Sequence, residues 1–149
     1  MKEYDLIIIG AGPAGLSAGQ YASRSNLSTL IIDSPIPNSQ LVNIWDLENY
    51  PGVFPAVNGF DFLTTMQNQA KEFGAIIENH QILNIAKDEN LNVFKVVCQE
   101  AEFSCKAIIV ATNSGFSANS VSRFKPKSLI IAATPNKTVY NQIAFSANN

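Results

Sequence analysis

Tyr4 to Asp33 reads YDLIIIGAGPAGLSAGQYASRSNLSTLIID. An apolar run, Leu6-Ile7-Ile8-Ile9, leads into Gly10-Ala11-Gly12-Pro13-Ala14-Gly15, then a helix-compatible segment, then a second apolar run, Leu30-Ile31-Ile32, closed by Asp33. Strand, glycine turn, helix, strand and acid in that order make a complete dinucleotide-binding unit. Gly10 permits a tight turn off the first strand, Gly12 lets backbone approach a pyrophosphate, and Gly15 lets the helix pack closely on the strand. Pro13 falls in the first helical turn, where a missing N–H costs little, and the free N–H groups there face an anion. Asp33 follows Gly15 by eighteen residues, the offset that brings a carboxylate to ribose hydroxyls at the end of the second strand.

Working outward, the pattern predicts strand one from Leu6 to Ile9, a helix from Ala14 to Ser25, and strand two from Thr29 to Ile32. Leu16, Ala18, Tyr21 and Ala22 are spaced to pack that helix on a sheet. Pro35, Pro37, Pro51 and Pro55 interrupt Ser34 to Val57, so regular structure is not expected there. The same stretch holds Trp45, Leu47, Tyr50 and Phe54, and a loop this long and apolar is expected to cover something. Phe60 to Phe73 reads as an amphipathic helix with Phe60, Leu63, Met66, Ala70 and Phe73 in the core, stopped by Gly74. Ala75 to Ile77 is a candidate third strand. Ile82 to Ala86, Val93 to Cys98 and Glu102 to Lys106 read as a small antiparallel meander. Ala107 to Ala111 and Leu129 to Ala133 fit central strands, Asn113 to Ser128 reads as a linker, and Val139 to Ala147 as a short helix. The expected α/β architecture is a central parallel sheet of about five strands, helices on both faces, and an added three-stranded antiparallel meander.

With 149 residues, 46% of them hydrophobic, the chain has material for one globular domain and not for two. A formal charge of −2, with Arg24 and Arg123 the two arginines and no basic cluster, argues against nucleic acid and anionic membranes as partners. The opening Met-Lys-Glu-Tyr-Asp and the shortness of the apolar runs suit a cytoplasmic protein. Six residues separate Cys98 from Cys105, which matches neither a redox C-x-x-C nor a zinc set, so both read as reduced structural thiols. No residue stands out as a catalytic base or nucleophile, and the single histidine, His80, has no cysteine or acid at metal-ligand spacing.

The order of these pieces resembles the Rossmann-like FAD-binding domain of bacterial thioredoxin reductases, within the pyridine nucleotide-disulfide oxidoreductases. The resemblance runs from Tyr4 to Thr112. It rests on the opening unit, Gln40-Leu41, Glu48-Asn49-Tyr50-Pro51-Gly52, the helix ending Gln69-Ala70-Lys71-Glu72-Phe73-Gly74-Ala75, and Ala107-Ile108-Ile109-Val110-Ala111-Thr112. It implies FAD as cofactor. Carried over position by position, it places Gly10, Gly12, Pro13, Ala14, Gly15, Asp33, Ser34, Gln40, Leu41, Asn49, Ala111, Thr112, Asn113, Asn141, Gln142 and Ile143 at the cofactor. It sets the backbone of His80 and Gln81 at the adenine edge. In such reductases an NADPH domain with a C-x-x-C interrupts the flavin domain. Here Leu129-Ile130-Ile131-Ala132-Ala133 looks like the returning strand after a short linker. The resemblance thus implies one FAD-binding domain over residues 1–149, with 1–112 and 129–149 as its two segments, 113–128 as the linker, and no NADPH domain.

The sequence also departs from that pattern. Asn38-Ser39 replaces a glycine pair before Gln40, Asn113 a glycine after Thr112, Thr134-Pro135 a Gly-Asp, and Asn141 an arginine before Gln142. Each lost glycine adds bulk where backbone meets cofactor, so FAD affinity is expected to be weaker than in full enzymes. The leading expectation is a single-domain flavoprotein that is redox-active only with an external electron donor or partner, and its expected partners are a redox protein or a second copy in a homodimer. Two alternatives stand beside it: an NAD-binding Rossmann oxidoreductase using the same first site, and a degenerate scaffold without independent catalysis.

Overall fold

The computed structural model describes residues 1–35, 39–111 and, as backbone, 131–133. Asn38, Thr112, Asn113, Asn141, Gln142 and Ile143 lie outside the described residues, as do the expected linker and closing helix. In chain order the elements are β1 (Lys2–Ile9), α1 (Pro13–Arg24), β2 (Thr29–Asp33), a 3₁₀ turn (Gln40–Asn43), α2 (Gly59–Glu72), β3 (Ile76–Asn79), β4 (Ile82–Asp88), β5 (Val93–Cys98), β6 (Glu102–Ala111) and β7 (Ile131–Ala133).

These strands build one seven-stranded sheet in the order β3-β2-β1-β6-β5-β4, with β7 pairing β6. β3, β2, β1, β6 and β7 are mutually parallel, while β4, β5 and β6 make the antiparallel meander. Only His80 and Gln81 connect β3 to β4, yet those strands terminate opposite ends of the six-strand path. A connection that short requires the sheet to curl until its two ends meet. The curl encloses one core, in which Ile7, Ile9, Leu30 and Ile32 of the parallel strands pack with Ile85, Phe94, Val96 and Phe103 of the meander.

The other face of the parallel strands carries the helices. Leu6, Ile8 and Ile31 pack against Leu16 of α1 and Leu63, Met66 and Ala70 of α2. Among the described residues both α-helices therefore lie on one face, and the meander takes the place of the second helix layer that the sequence suggested. Burial on both faces is why β1 and β2 read as unbroken apolar runs. Asn58 starts α2 by accepting the Phe60 N–H on its side-chain oxygen at 2.8 Å, and Gly74, at φ +97°, ends it in the left-handed conformation. Three expected core residues are exposed: Tyr21, Phe60 and Phe73. Phe73 instead lies under the Arg24 guanidinium, 5.1 Å from the ring centre.

Glu102–Lys106 and Ala107–Ala111, expected as separate strands, are one continuous ten-residue strand. On the enclosed face β6 places Phe103 and Cys105, then Ile108 and Val110, so its inward positions change parity midway. β1 changes in step, from Tyr4 to Ile7 and Ile9. At that point the amides of Asp5 and Leu6 both donate to the Ser28 carbonyl, at 2.9 and 3.2 Å, the signature of a bulge.

Asp5 anchors this bulge. Its carboxylate accepts from Lys106 Nζ at 2.7 Å and from the Ser28 N–H and hydroxyl at 2.9 and 2.8 Å. The Lys106 hydrogen bond, followed by those of Ser28, holds the Asp5 carboxyl down at about 2, against an ordinary 3.8. Between those values the unfolded chain binds more protons than the folded one, so this contribution to stability is full above about pH 4 and fades as pH falls towards 2. Urea midpoints between pH 5 and pH 2 are expected to show an acid-sensitive component that Asp5→Asn reduces. A second expectation concerns the enclosed core: Phe103→Ala is expected to cost about 3–5 kcal/mol in urea unfolding. Phe54→Ala, at a side chain 96% exposed, is expected to stay within about 0.5 kcal/mol.

Candidate functional site

The carboxyl ends of β1, β6, β2 and β3 come together at one rim of the sheet, the place where open α/β sheets bind ligands. Gly10 leaves β1 at φ +102°, and its N–H donates to the Ile32 carbonyl at 2.8 Å, tying the turn to β2. A Cβ on Gly10 would stand 2.5 Å from the Ala111 carbonyl oxygen at the end of β6. A Cβ on Gly15 would strike the carbonyl oxygen of Gly10. Two of the three glycines are thus required by the protein's own backbone.

Gly12 is different. Its φ of −73° and ψ of 177° suit any residue, and a Cβ there would meet nothing within 4 Å among the described residues. Their packing gives no reason for a glycine, while a group lying against the backbone does. Gly12 is also the N-cap of α1, with Pro13 at the first helical position, no side chain capping the helix and no acid in its first turn. The helix therefore directs N–H groups and the positive end of its dipole towards space that no described residue fills, which fits a pyrophosphate.

Asp33 ends β2 half-buried, paired with Asn79 of β3, and Ser34 follows it. One residue beyond that pair, the His80 N–H donates to the Asp33 carbonyl at 2.9 Å, and the Gln81 carbonyl accepts from the Gln99 N–H at 3.0 Å. Gly10, Gly12, Gly15, Ala111, Asp33 and His80 are in this way brought to one rim. Gln40 and Leu41 are held from α2: Gly59 donates its N–H to the Ile44 carbonyl at 2.8 Å, and a Cβ on Gly59 would strike the Leu41 carbonyl. Asn49 is exposed in a loop closed by the Leu47–Val57 backbone bridge. In that loop Leu47 is buried and the Tyr50 ring lies 4.7 Å from the Phe62 ring, whereas Phe54, and Trp45 just before the loop, are exposed. The expected apolar cover is therefore divided, with half of its large side chains exposed.

The sequence reading passed over Glu78. Its side chain shares a strand face with Ile76 and His80, and its Oε2 lies 2.8 Å from His80 Nε2. That hydrogen bond is the main reason its carboxyl is held below the ordinary range. A charged residue in phase with the inward positions Leu30 and Ile32 was the signal. Cys98 and Cys105 are buried free thiols, and burial pushes both upward, Cys105 to about 12. Among the described residues no three His, Cys, Asp or Glu side chains form a metal site, and no helix is long and apolar enough to cross a membrane.

Over 112 residues, 75% of its length, the chain is 41% identical to a thioredoxin reductase of Treponema pallidum (strain Nichols), covering 36% of that protein. Over 115 residues, 77% of its length, it is 41% identical to a thioredoxin reductase of Bacillus subtilis (strain 168), covering 35%. Its relatives are thioredoxin reductases. The chain spans about a third of the length of these curated relatives. The solved structure of a thioredoxin reductase from Gloeobacter violaceus matches with a TM-score of 0.69 at 33% identity, over 76% of this chain and 38% of that one. The family model described as "Pyruvate kinase, alpha/beta domain" matches residues 92–148, less than half of the chain and largely outside the described residues.

The three glycines separate by experiment. Gly12→Ala is expected to keep the unfolding free energy within about 1 kcal/mol, the scale of an N-cap change. Gly10→Ala and Gly15→Ala are expected to lose about 2 kcal/mol or more each, from left-handed strain at the first and overpacking at both. Thermal unfolding of the three variants checks the order.

Proposed function

We propose that this chain is a flavoprotein unit of the thioredoxin reductase type, which binds FAD and exchanges electrons with an external donor or partner. The observation that carries the reading is Gly12, a glycine that no packing among the described residues requires, at a helix N-terminus without a side-chain cap among them. In this reading Gly12, Pro13, Ala14 and Gly15 hold the pyrophosphate, Asp33 and Ser34 the adenosine ribose, and the backbone of His80 and Gln81 the adenine edge. Gln40, Leu41, Asn49, Ala111, Thr112, Asn113, Asn141, Gln142 and Ile143 serve the flavin half. The flavin, when bound, supplies the electron-transfer chemistry, and the protein supplies binding, orientation and electrostatics.

The same reading treats residues 1–149 as one FAD-binding domain with a short linker at 113–128. Its support is β7, whose Ala133 pairs with Ala111 at the end of β6, so the segment after the linker rejoins the parallel sheet at the rim that holds the glycine turn. FAD is favoured over NAD by the relatives and by the Gln40–Gly52 segment that resembles theirs. Titration of the apoprotein with FAD and with NAD decides between the two. Saturation by FAD is expected, and saturation by NAD with none by FAD overturns the proposal. Gly12→Val is expected to abolish FAD binding by filling the pyrophosphate position. Asp33→Ala is expected only to weaken it, by the roughly 1.5–3 kcal/mol of one charged hydrogen bond.

A further inference from the structure

The imidazole of His80 is fixed more firmly than a surface histidine needs to be. Its side chain is 19% exposed, its ring centre lies 5.4 Å from that of the fully buried Phe103, and the two rings are tilted by 56°. Glu78, ionised at neutral pH, is acceptor-only, so the 2.8 Å contact is a hydrogen bond donated by His80 Nε2. The second Glu78 oxygen faces Lys2 Nζ at 3.4 Å, and the Tyr4 ring also lies by Phe103, at 6.2 Å between ring centres.

The backbone of the same residue is pinned as well. His80 and Gln81 are the whole connection between β3 and β4, held by Asp33 on one side and Gln99 on the other. The ring, partly buried against Phe103 with its Nε2 on Glu78, thus sets the height at which this corner passes Asp33.

We infer that His80 is a positioning residue for the nucleoside end of the site, acting through its imidazole on the His80–Gln81 backbone beside Asp33. This rests on the dinucleotide reading above. A ribose held by Asp33 carries its base on an adjacent carbon, so the base lies within a residue's reach of that carboxylate. On the β1 side the glycine turn takes the pyrophosphate. The resemblance sets the base at the His80–Gln81 backbone, which lies on the β3 side of Asp33. The ligand class is an adenine nucleotide, recognised through its ADP portion.

The test uses the full chain and ADP as the probe, with folding of each variant verified by circular dichroism. His80→Ala is expected to bind ADP, and FAD with it, about tenfold more weakly than the parent. His80→Gln, whose side-chain amide can donate from nearly the same place as the imidazole Nε2, is expected to recover most of that loss. Glu78→Gln keeps its shape and loses the charge that the imidazole faces, so it is expected to weaken ADP in the same direction and carries the test if His80→Ala does not fold. A merely structural histidine would lower the melting temperature and leave ADP affinity unchanged. Parent and folded variants binding ADP equally overturn the inference alone, whereas a parent that binds neither ADP nor FAD overturns the cofactor reading and the inference with it.

Discussion

A two-residue connection governs the shape of this molecule. His80 and Gln81 join strands at opposite ends of the six-strand path, and no flat sheet satisfies that demand. The sheet curls, the meander folds over the parallel strands, and Phe103 and Val96 fill the enclosed space. The paired shift of parity in β1 and β6, with the bulge that Asp5 and Ser28 stabilise, lets both strands keep apolar side chains inward through the bend. With that face closed by strands, α1 and α2 share the other, and the carboxyl ends of the five parallel strands are left at one rim.

Crowding at the rim then separates the glycines by cause. Ala111, Gly10 and Gly15 approach so closely that any Cβ at the two glycines meets a carbonyl oxygen. At Gly12, between them in sequence, a Cβ meets none of the described residues within 4 Å. One motif therefore contains positions required by folding and a position that folding leaves open, and the open one lies at a helix end suited to an anion. The chain is 41% identical to a thioredoxin reductase over three quarters of its length, and a solved thioredoxin reductase shares its fold.

The sequence made the first βαβ unit legible because its signals are local: apolar runs, glycine spacing, and an acid at the end of β2. The parallel sheet and the meander were legible for the same reason. What it concealed depends on contacts between distant residues. β6 read as two strands because its inward positions change phase between Cys105 and Ile108, a slip that only the partner strand β1 explains. Tyr21, Phe60 and Phe73 fit a helical period yet sit on the margin of the apolar face, where periodicity alone cannot separate a core position from an edge. At the site, the glycines and Asp33 followed from spacing. The place of His80 beside Asp33 needed the β2–β3 pairing, and its bond to Glu78 needed the register of β3.

Gly12 as the seat of a dinucleotide pyrophosphate is the claim on which the functional account turns. A crystal structure of the protein grown with FAD tests it most directly. The account predicts pyrophosphate oxygens within hydrogen-bond distance of the backbone N–H groups at the start of α1, over Gly12, with the adenosine ribose at Asp33. FAD bound elsewhere, with the space over Gly12 filled by solvent, would contradict it.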